Sequence, residues 1–361
     1  MHVTPVLTDL DPRKDDYATQ VVERLLRGAV SAGASDIHLD ATPSGVLIKW
    51  RVGGTLLPVA TIPDGVSAKI LARVKALARL ITYRYDIPQE GRIQLDDQTL
   101  EARVGTLPTL HGERAVIRLV AKQTQAWSPE HLGLDKLSLQ RLLDGLHRAS
   151  GVLLISGTAG SGKTTTAYAA LREVLKDDQI QRSIVSLEDP IEAEIEGVSQ
   201  SPINPAVGYD WTSGLKALLR QDPEVMLVGE IREPETAAVV FQAAMAGQLV
   251  ITTMHARSAA DALRRLLDMQ VPAHHLRSAL NVLICQRLLR GSGGCDGRVL
   301  LAEVLPNIEG ELARRLLQDA DTGTLNQVAQ SLGMQCLATL AAEAIAANRI
   351  SASEMARHFI E

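Results

Sequence analysis

The chain has 361 residues, 46% of them apolar and 22% charged, with a formal net charge of −5 at neutral pH. That length exceeds what one ordinary hydrophobic core supports, so two domains are expected. Mild acidity and an aromatic content of 3% argue against a nucleic-acid partner, which needs a basic face and stacking platforms, and no apolar run approaches the ~20 residues of a membrane span.

The N-terminus, Met1-His2-Val3-Thr4-Pro5, lacks the basic and apolar regions of a signal peptide, so a cytoplasmic protein is expected. Val21, Val22, Leu25, Leu26 and Val30 give residues 16–33 a helical spacing. Ile37–Asp40 and Val46–Val52 read as strands around the turn Pro43-Ser44-Gly45, and Gly53-Gly54 marks a second turn. Residues 67–81 return to helical spacing. Strand-like segments follow at Arg92–Leu95, Leu100–Val104 and Ala115–Val120. Residues 1–121 thus read as a small α+β domain. The stretch Ala121–Pro129 is polar and unperiodic and ends in Ser-Pro, so residues 122–131 are the expected linker.

Beyond it, strands and helices alternate. Strands are expected at Val152–Ser156, Ser183–Leu187, Val225–Val228 and Leu249–Thr253, and helices over 165–176, over 211–220 and after Pro234. Such alternation implies a mainly parallel sheet covered by helices, in a domain spanning 132–361. From Leu263 onwards the spacing reads as largely helical, with Cys285 in an apolar helical run and one strand-like piece at Val299–Leu305.

The strongest local signal lies between the first of those strands and its helix. Gly157-Thr158-Ala159-Gly160-Ser161-Gly162-Lys163-Thr164 satisfies the phosphate-loop pattern G-x-x-x-x-G-K-[ST], and Thr165 carries the chain into the helix. Glycines let successive backbone N–H groups curl around phosphates, and the helix N-terminus adds positive potential. Lys163 is expected on the β/γ-phosphates and Thr164 on Mg²⁺. A glycine-rich turn that binds nothing is the bland alternative, and the strand and helix flanking it speak against that. ATP with Mg²⁺ is the expected ligand.

Hydrolysis also needs a group that orients water. Two acidic positions follow strand-like segments, where an open α/β sheet places its ligand. Glu188 lies in Ser186-Leu187-Glu188-Asp189-Pro190-Ile191-Glu192. Glu230 follows Val225–Val228, with Gly229 at the usual Walker B aspartate position. Glu230 is the candidate for polarising water, and Glu188 for assisting it or holding the metal beside Thr164. His255 ends a further strand toward the same edge. Spacing alone makes it more often a hydrogen-bonded structural residue than a γ-phosphate sensor.

Taken in order, these segments resemble the secretion and pilus motor ATPases of bacteria, the type II secretion and type IV pilus assembly ATPases. Besides the phosphate loop, residues 186–192 resemble that family's Asp box, residues 218–237 its Walker B region and residues 243–255 its His box. Ala34-Ser35-Asp36-Ile37-His38-Leu39, Ile87-Pro88-Gln89-Glu90-Gly91-Arg92-Ile93 and Leu107–Arg114 are similar to its N-terminal domain. The resemblance covers residues 16–355. It implies a RecA-like P-loop NTPase domain behind a smaller, PAS-like α+β domain, and a cytoplasmic homohexamer at the inner face of the cell membrane. It further implies an inner-membrane platform protein as partner, and arginines of the N-terminal domain completing the ATP site. Matching positions are Arg92, Arg103 and Arg114, with Arg118 a weaker candidate.

Two departures stand out. Gln248 replaces the family's first His-box histidine. The four-cysteine zinc module that many assembly members carry after Gln286-Arg287-Leu288 is reduced to Gly291-Ser292-Gly293-Gly294, so no zinc is expected. Cys285, Cys295 and Cys336 are expected as free thiols. The chain also begins near the start of the shared core, which implies that the platform-docking domain of larger members is lacking. The implied function is ATP-driven assembly of a type IV pilus, a type II secretion pseudopilus or a competence pseudopilus. A pilus retraction motor, a DNA-translocating ATPase and a nucleotide-gated scaffold are the alternatives.

Overall fold

The computed structural model describes residues 7, 10–52, 55–94, 100–121, 128–176, 182–292, 297–306, 308, 310–318 and 321–359. Contacts divide the chain into two units, Met1–Thr124 and Gln125–Glu361. Most of the expected linker, residues 122–127, and the Gly53-Gly54 turn lie outside the described residues.

In the first unit, α1 (Tyr17–Ser31) precedes β1 (Ala34–Thr42), β2 (Gly45–Val52), β3 (Thr55–Pro63), α2 (Asp64–Leu77), β4 (Gln89–Gln94), β5 (Leu100–Thr109) and β6 (Gly112–Ala121). The strands form one sheet in the order β3-β2-β1-β6-β5-β4. The period-2 alternation sends Ile37, Leu39, Ile48, Trp50, Val104 and Ile117 into a core with Val21, Val22, Leu25 and Ile70 of the two helices. Strand β3 went unread because Pro58 and Pro63 interrupt its pattern. It is an edge strand, where proline is tolerated. Lys75 and Glu113 form a buried ion pair at 2.9 and 3.0 Å, and Lys75 Nζ also donates to the carbonyl of Arg84 at 2.5 Å. Gln89 holds the same loop through Ile81 N, Ile81 O and Arg84 O. These contacts give Glu113 and Gln89 of the family-like segments a structural task.

The second unit runs α3 (Lys136–Leu146), β7 (Gly151–Gly157), α4 (Lys163–Leu175), β8 (Ile184–Glu188), β9 (Ser199–Pro202), α5 (Trp211–Leu218), β10 (Val225–Val228), α6 (Pro234–Met245), β11 (Leu249–Met254), α7 (Ala259–Asp268), α8 (Ala273–Ala279), β12 (Leu280–Arg290) and β13 (Arg298–Pro306). Helices α9 (Gly310–Leu317), α10 (Thr322–Ser331), α11 (Leu337–Ala346) and α12 (Ala352–Phe359) close it. The sheet order is β13-β12-β7-β11-β10-β8-β9, parallel except for β13 at the edge. Both faces are covered, so β7, β8, β10 and β11 are buried at every residue. Leu153 and Ile155 pack toward α3 and α4, whereas Val152 and Leu154 pack toward α6 and α7.

Strand β12 corrects the helical reading of residues 263 onwards. A strand buried on both faces reads as an unbroken apolar run, and periodicity does not separate such a run from a buried helix. Cys285 therefore sits in a strand between β7 and β13.

Candidate nucleotide-binding site

Strands β7, β8, β10 and β11 end at one edge, and the residues singled out in the sequence follow those ends. The loop after β7 depends on its glycines. Gly157, Gly160 and Gly162 have φ of +152°, +73° and +86°, a region L side chains avoid. A Cβ on Gly157 would also lie 2.4 Å from Ser161 Oγ and 2.5 Å from the carbonyl oxygen of Gln286.

Lys163 opens α4, and its Nζ folds back to donate to the carbonyls of Gly157 and Thr158 at 3.2 and 3.1 Å. Burial lowers its proton affinity, and the charge of Glu230 opposes that shift. Ser161 Oγ is buried with no hydrogen-bond partner. Thr158, Ala159, Gly160 and Thr164 are exposed and Thr165 is half-buried. A cavity of about 260 Å³ opens beside the loop, with Lys163, Thr164, Tyr168, Glu188, Glu230 and His255 in its wall.

The two glutamates differ sharply. Glu188 is buried and its oxygens are already engaged. Tyr168 Oη donates to Oε2 at 2.5 Å, while Ser186 Oγ and Gln200 Nε2 donate to Oε1 at 2.6 and 3.0 Å. Burial, with the Glu188 carboxylate alongside, pushes the Tyr168 phenol upward, so it remains a donor. Glu230 sits beyond β10 with its carboxylate in the cavity wall, paired with Arg232 and 3.7 Å from His255 Nε2. Gly229 leaves room for Trp211, whose ring would lie 3.1 Å from a Cβ there.

His255 is exposed, and Arg265 holds its backbone carbonyl. Partial burial first, then the charge of Lys163, lowers its proton affinity, so the ring is neutral at neutral pH. Gln248 lies at the other end of β11, where its carbonyl accepts from Gly151 N at 3.0 Å. The departure from the family pattern is thus at the sheet edge away from the phosphate loop.

In the first unit, register places Arg92 opposite Arg103, Arg103 opposite Arg118, Arg118 opposite Asp36, and Asp36 opposite Arg51. Residues directly opposite share a face, so these five form one row across the sheet on the side away from the helices. Arg118 donates to Asp36 at 2.9 Å. Arg114 stands outside that row and is engaged by Asp40 at 2.7 Å and His38 Nδ1 at 3.1 Å. Arg118, the weaker candidate from sequence, is the one that aligns with Arg92 and Arg103.

Among the described residues no group of three or more His, Cys, Asp or Glu is arranged to hold a metal ion, and Cys295 lies outside them. Burial pushes the Cys285 thiol up to about 12, which suppresses the nucleophilic thiolate. In a Cys295→Ser/Cys336→Ser background the native protein is expected to show no fast reaction with a disulfide reagent such as Ellman's reagent, and one thiol per chain after denaturation. A full equivalent of fast reaction before unfolding would contradict the buried placement.

Tyr168, Ser186, Gln200 and Gln286 were not singled out from sequence. Ser186 meets Glu188 two residues along β8, whereas Tyr168, Gln200 and Gln286 reach the site through tertiary contacts 12 to 125 residues apart that no local spacing announces.

With this geometry in view, similarity to known proteins becomes informative. The family model described as "Type II/IV secretion system protein" matches residues 11–357. The chain belongs to that family. Type II secretion system protein E of Pseudomonas aeruginosa is 38% identical over 289 residues, covering 79% of this chain and 57% of that protein. Type II secretion system ATPase E of Vibrio cholerae is 37% identical over 283 residues, covering 78% and 56%. The chain therefore spans little more than half the length of these relatives.

Among solved structures, the pilus retraction motor PilT with bound ADP superposes with a TM-score of 0.70 at 24% identity, covering 93% of this chain and 96% of PilT. The Legionella pneumophila ATPase DotB gives 0.72 at 22%, covering 96% of each. These two show the fold, and it is the RecA-like secretion-ATPase fold that the family resemblance implies.

Proposed function

We propose that this chain hydrolyses ATP to ADP and phosphate and serves as a hexameric motor of a type II secretion apparatus. The observation that carries the proposal is the juxtaposition of a strand–loop–helix phosphate cradle with the Glu230 carboxylate across one cavity. The cradle fits a polyphosphate: glycines at positive φ, a lysine whose local partners are backbone carbonyls, and an orphaned Ser161 hydroxyl. Gly157 to Thr165 hold the phosphates and Lys163 supplies their counter-charge. Mg²⁺ bound with the nucleotide would neutralise charge on the phosphate oxygens, and the exposed Thr164 hydroxyl is the group to hold it.

Glu230 is the water-polarising group. Glu188, whose oxygens already accept three hydrogen bonds, fixes the wall of the cavity instead of ligating metal. His255, neutral and exposed at the same edge, is suited to hydrogen bonding with the terminal phosphate. Arg92, Arg103 and Arg118, aligned across the sheet with Asp36 holding Arg118, are the candidates for the phosphate-binding role that the family resemblance implies for arginines of the N-terminal domain. Guanidinium forks suit phosphate oxygens.

The names of the relatives favour type II secretion over a pilus or a DNA translocase. An inner-membrane platform protein is then the partner, and the cytoplasmic face of that membrane the location. No helix among the described residues is long and apolar enough to cross a membrane. The test is phosphate release from Mg-ATP by wild-type protein titrated with Lys163→Ala protein. Turnover by wild type, falling faster than in proportion to dilution, is expected of a coupled ring. No release from wild type sinks the ATPase, and a strictly proportional loss sinks the coupled hexamer.

A further inference from the structure

We propose that Gln286 is a positioning residue of the nucleotide site, holding the phosphate loop and the first turn of α4 in the shape that receives a polyphosphate. The inference rests on the nucleotide reading above. Gln286 lies in β12, more than 120 residues beyond the loop, and is fully buried. Its Nε2 donates to the carbonyl of Ser161 at 2.6 Å, and its Oε1 accepts from Thr166 Oγ1 at 3.0 Å.

The orientation of the amide is forced, because a carbonyl only accepts and would repel Oε1. One side chain therefore ties the loop apex to the helix that follows it. The main chain of Gln286 acts on the loop as well. It pairs in register with Gly157, and its carbonyl fills the space a Gly157 Cβ would take. Gly162 is close-packed on the same amide, since a Cβ there would sit 3.3 Å from Nε2. Removing the amide takes a partner from the buried Ser161 carbonyl at the loop apex and from the buried Thr166 hydroxyl in the first turn of the helix. The loop then relaxes away from the arrangement in which its N–H groups converge, and a ligand must restore that arrangement when it binds.

The experiment is titration calorimetry of the full chain with Mg-ADP, alongside steady-state ATP hydrolysis and thermal melting. Gln286→Met, close in volume but without the amide, is expected to raise the Kd for ADP and the KM for ATP about tenfold or more. Its kcat is expected to fall less than about threefold, since no transition-state contact is removed. Gln286→Glu keeps shape and an acceptor for Thr166 but sets a carboxylate against the Ser161 carbonyl, so it should bind more weakly than Gln286→Met. Thr166→Val should raise Kd by a smaller factor, and combining it with Gln286→Met should add little.

A folded Gln286→Met protein with wild-type Kd overturns the assignment. Should that variant not fold, wild-type Kd in Thr166→Val does so. Wild-type Kd in both the Glu and the Met variant would reduce Gln286 to a space-filler and also overturn it. Wild-type protein that binds no ADP overturns the nucleotide reading itself, and this inference with it. Wild-type binding that is lost in Lys163→Ala yet unchanged in Gln286→Met removes only the role of Gln286.

Discussion

Glu230→Gln is expected to bind ATP within about threefold of wild type and to hydrolyse it at least about a hundredfold more slowly. The amide keeps the size and planarity of the carboxylate and still offers an oxygen to Arg232, so the cavity wall and the phosphate loop are undisturbed. It loses the ability to accept a proton from water. Two neighbours are candidates to substitute for it. Glu188 is held by Tyr168, Ser186 and Gln200, and moving it toward water would break buried hydrogen bonds. His255 is neutral near pH 7 and exposed, so His255→Gln is the companion variant, expected to cost less than Glu230→Gln. The measurements are equilibrium binding of ATP and single-turnover phosphate release. Hydrolysis by Glu230→Gln at the wild-type rate would show that another group activates the water.

The contrast between the two glutamates bears on what the sequence discloses. Both follow strands, and the sequence ranks Glu230 first for polarising water only through its place after the Walker B-like segment, without disclosing how Glu188 is held. What separates them is a set of donors brought from α4 and β9, and no residue near Glu188 in sequence announces Tyr168 or Gln200. The phosphate loop, by contrast, was fully legible, since its chemistry is local: each glycine, the lysine and the threonine sit within eight consecutive residues. Strand β12 was misread for the opposite reason. Its covering on both faces removes the alternation that marks a half-exposed strand, leaving an apolar run of ambiguous period. That misreading also hid Gln286, a polar residue that stands out only once its strand is seen beside β7. The arginines fall between these cases. Their presence on strands was readable, but which of them share a row depends on register, and register promotes Arg118 over Arg114.

Lys163→Ala is expected to raise the Kd for ATP and ADP by about a hundredfold while shifting the melting temperature little. A charge-assisted hydrogen bond to a phosphate oxygen contributes about 1.5–3 kcal/mol, and the ammonium's charge acts on the neighbouring phosphate as well, so about two decades in Kd follow at about 1.4 kcal/mol per decade. The fold should tolerate the change because the local partners of Nζ are the carbonyls of Gly157 and Thr158, and Thr158 is exposed, where water replaces the lost donor. The same geometry predicts the behaviour of Lys163→Arg. The ammonium has three donors, and with two directed at those carbonyls the third remains for a phosphate oxygen. A guanidinium is planar, longer and rigidly forked. It cannot reproduce that three-way arrangement at the start of α4, so retaining the charge should not restore affinity. Calorimetric titration of both variants with Mg-ADP, beside their melting curves, decides the matter. Wild-type affinity in Lys163→Arg would mean that charge alone suffices and that the carbonyl contacts carry no weight. Wild-type affinity in Lys163→Ala would mean that the loop after β7 is not where the phosphates bind.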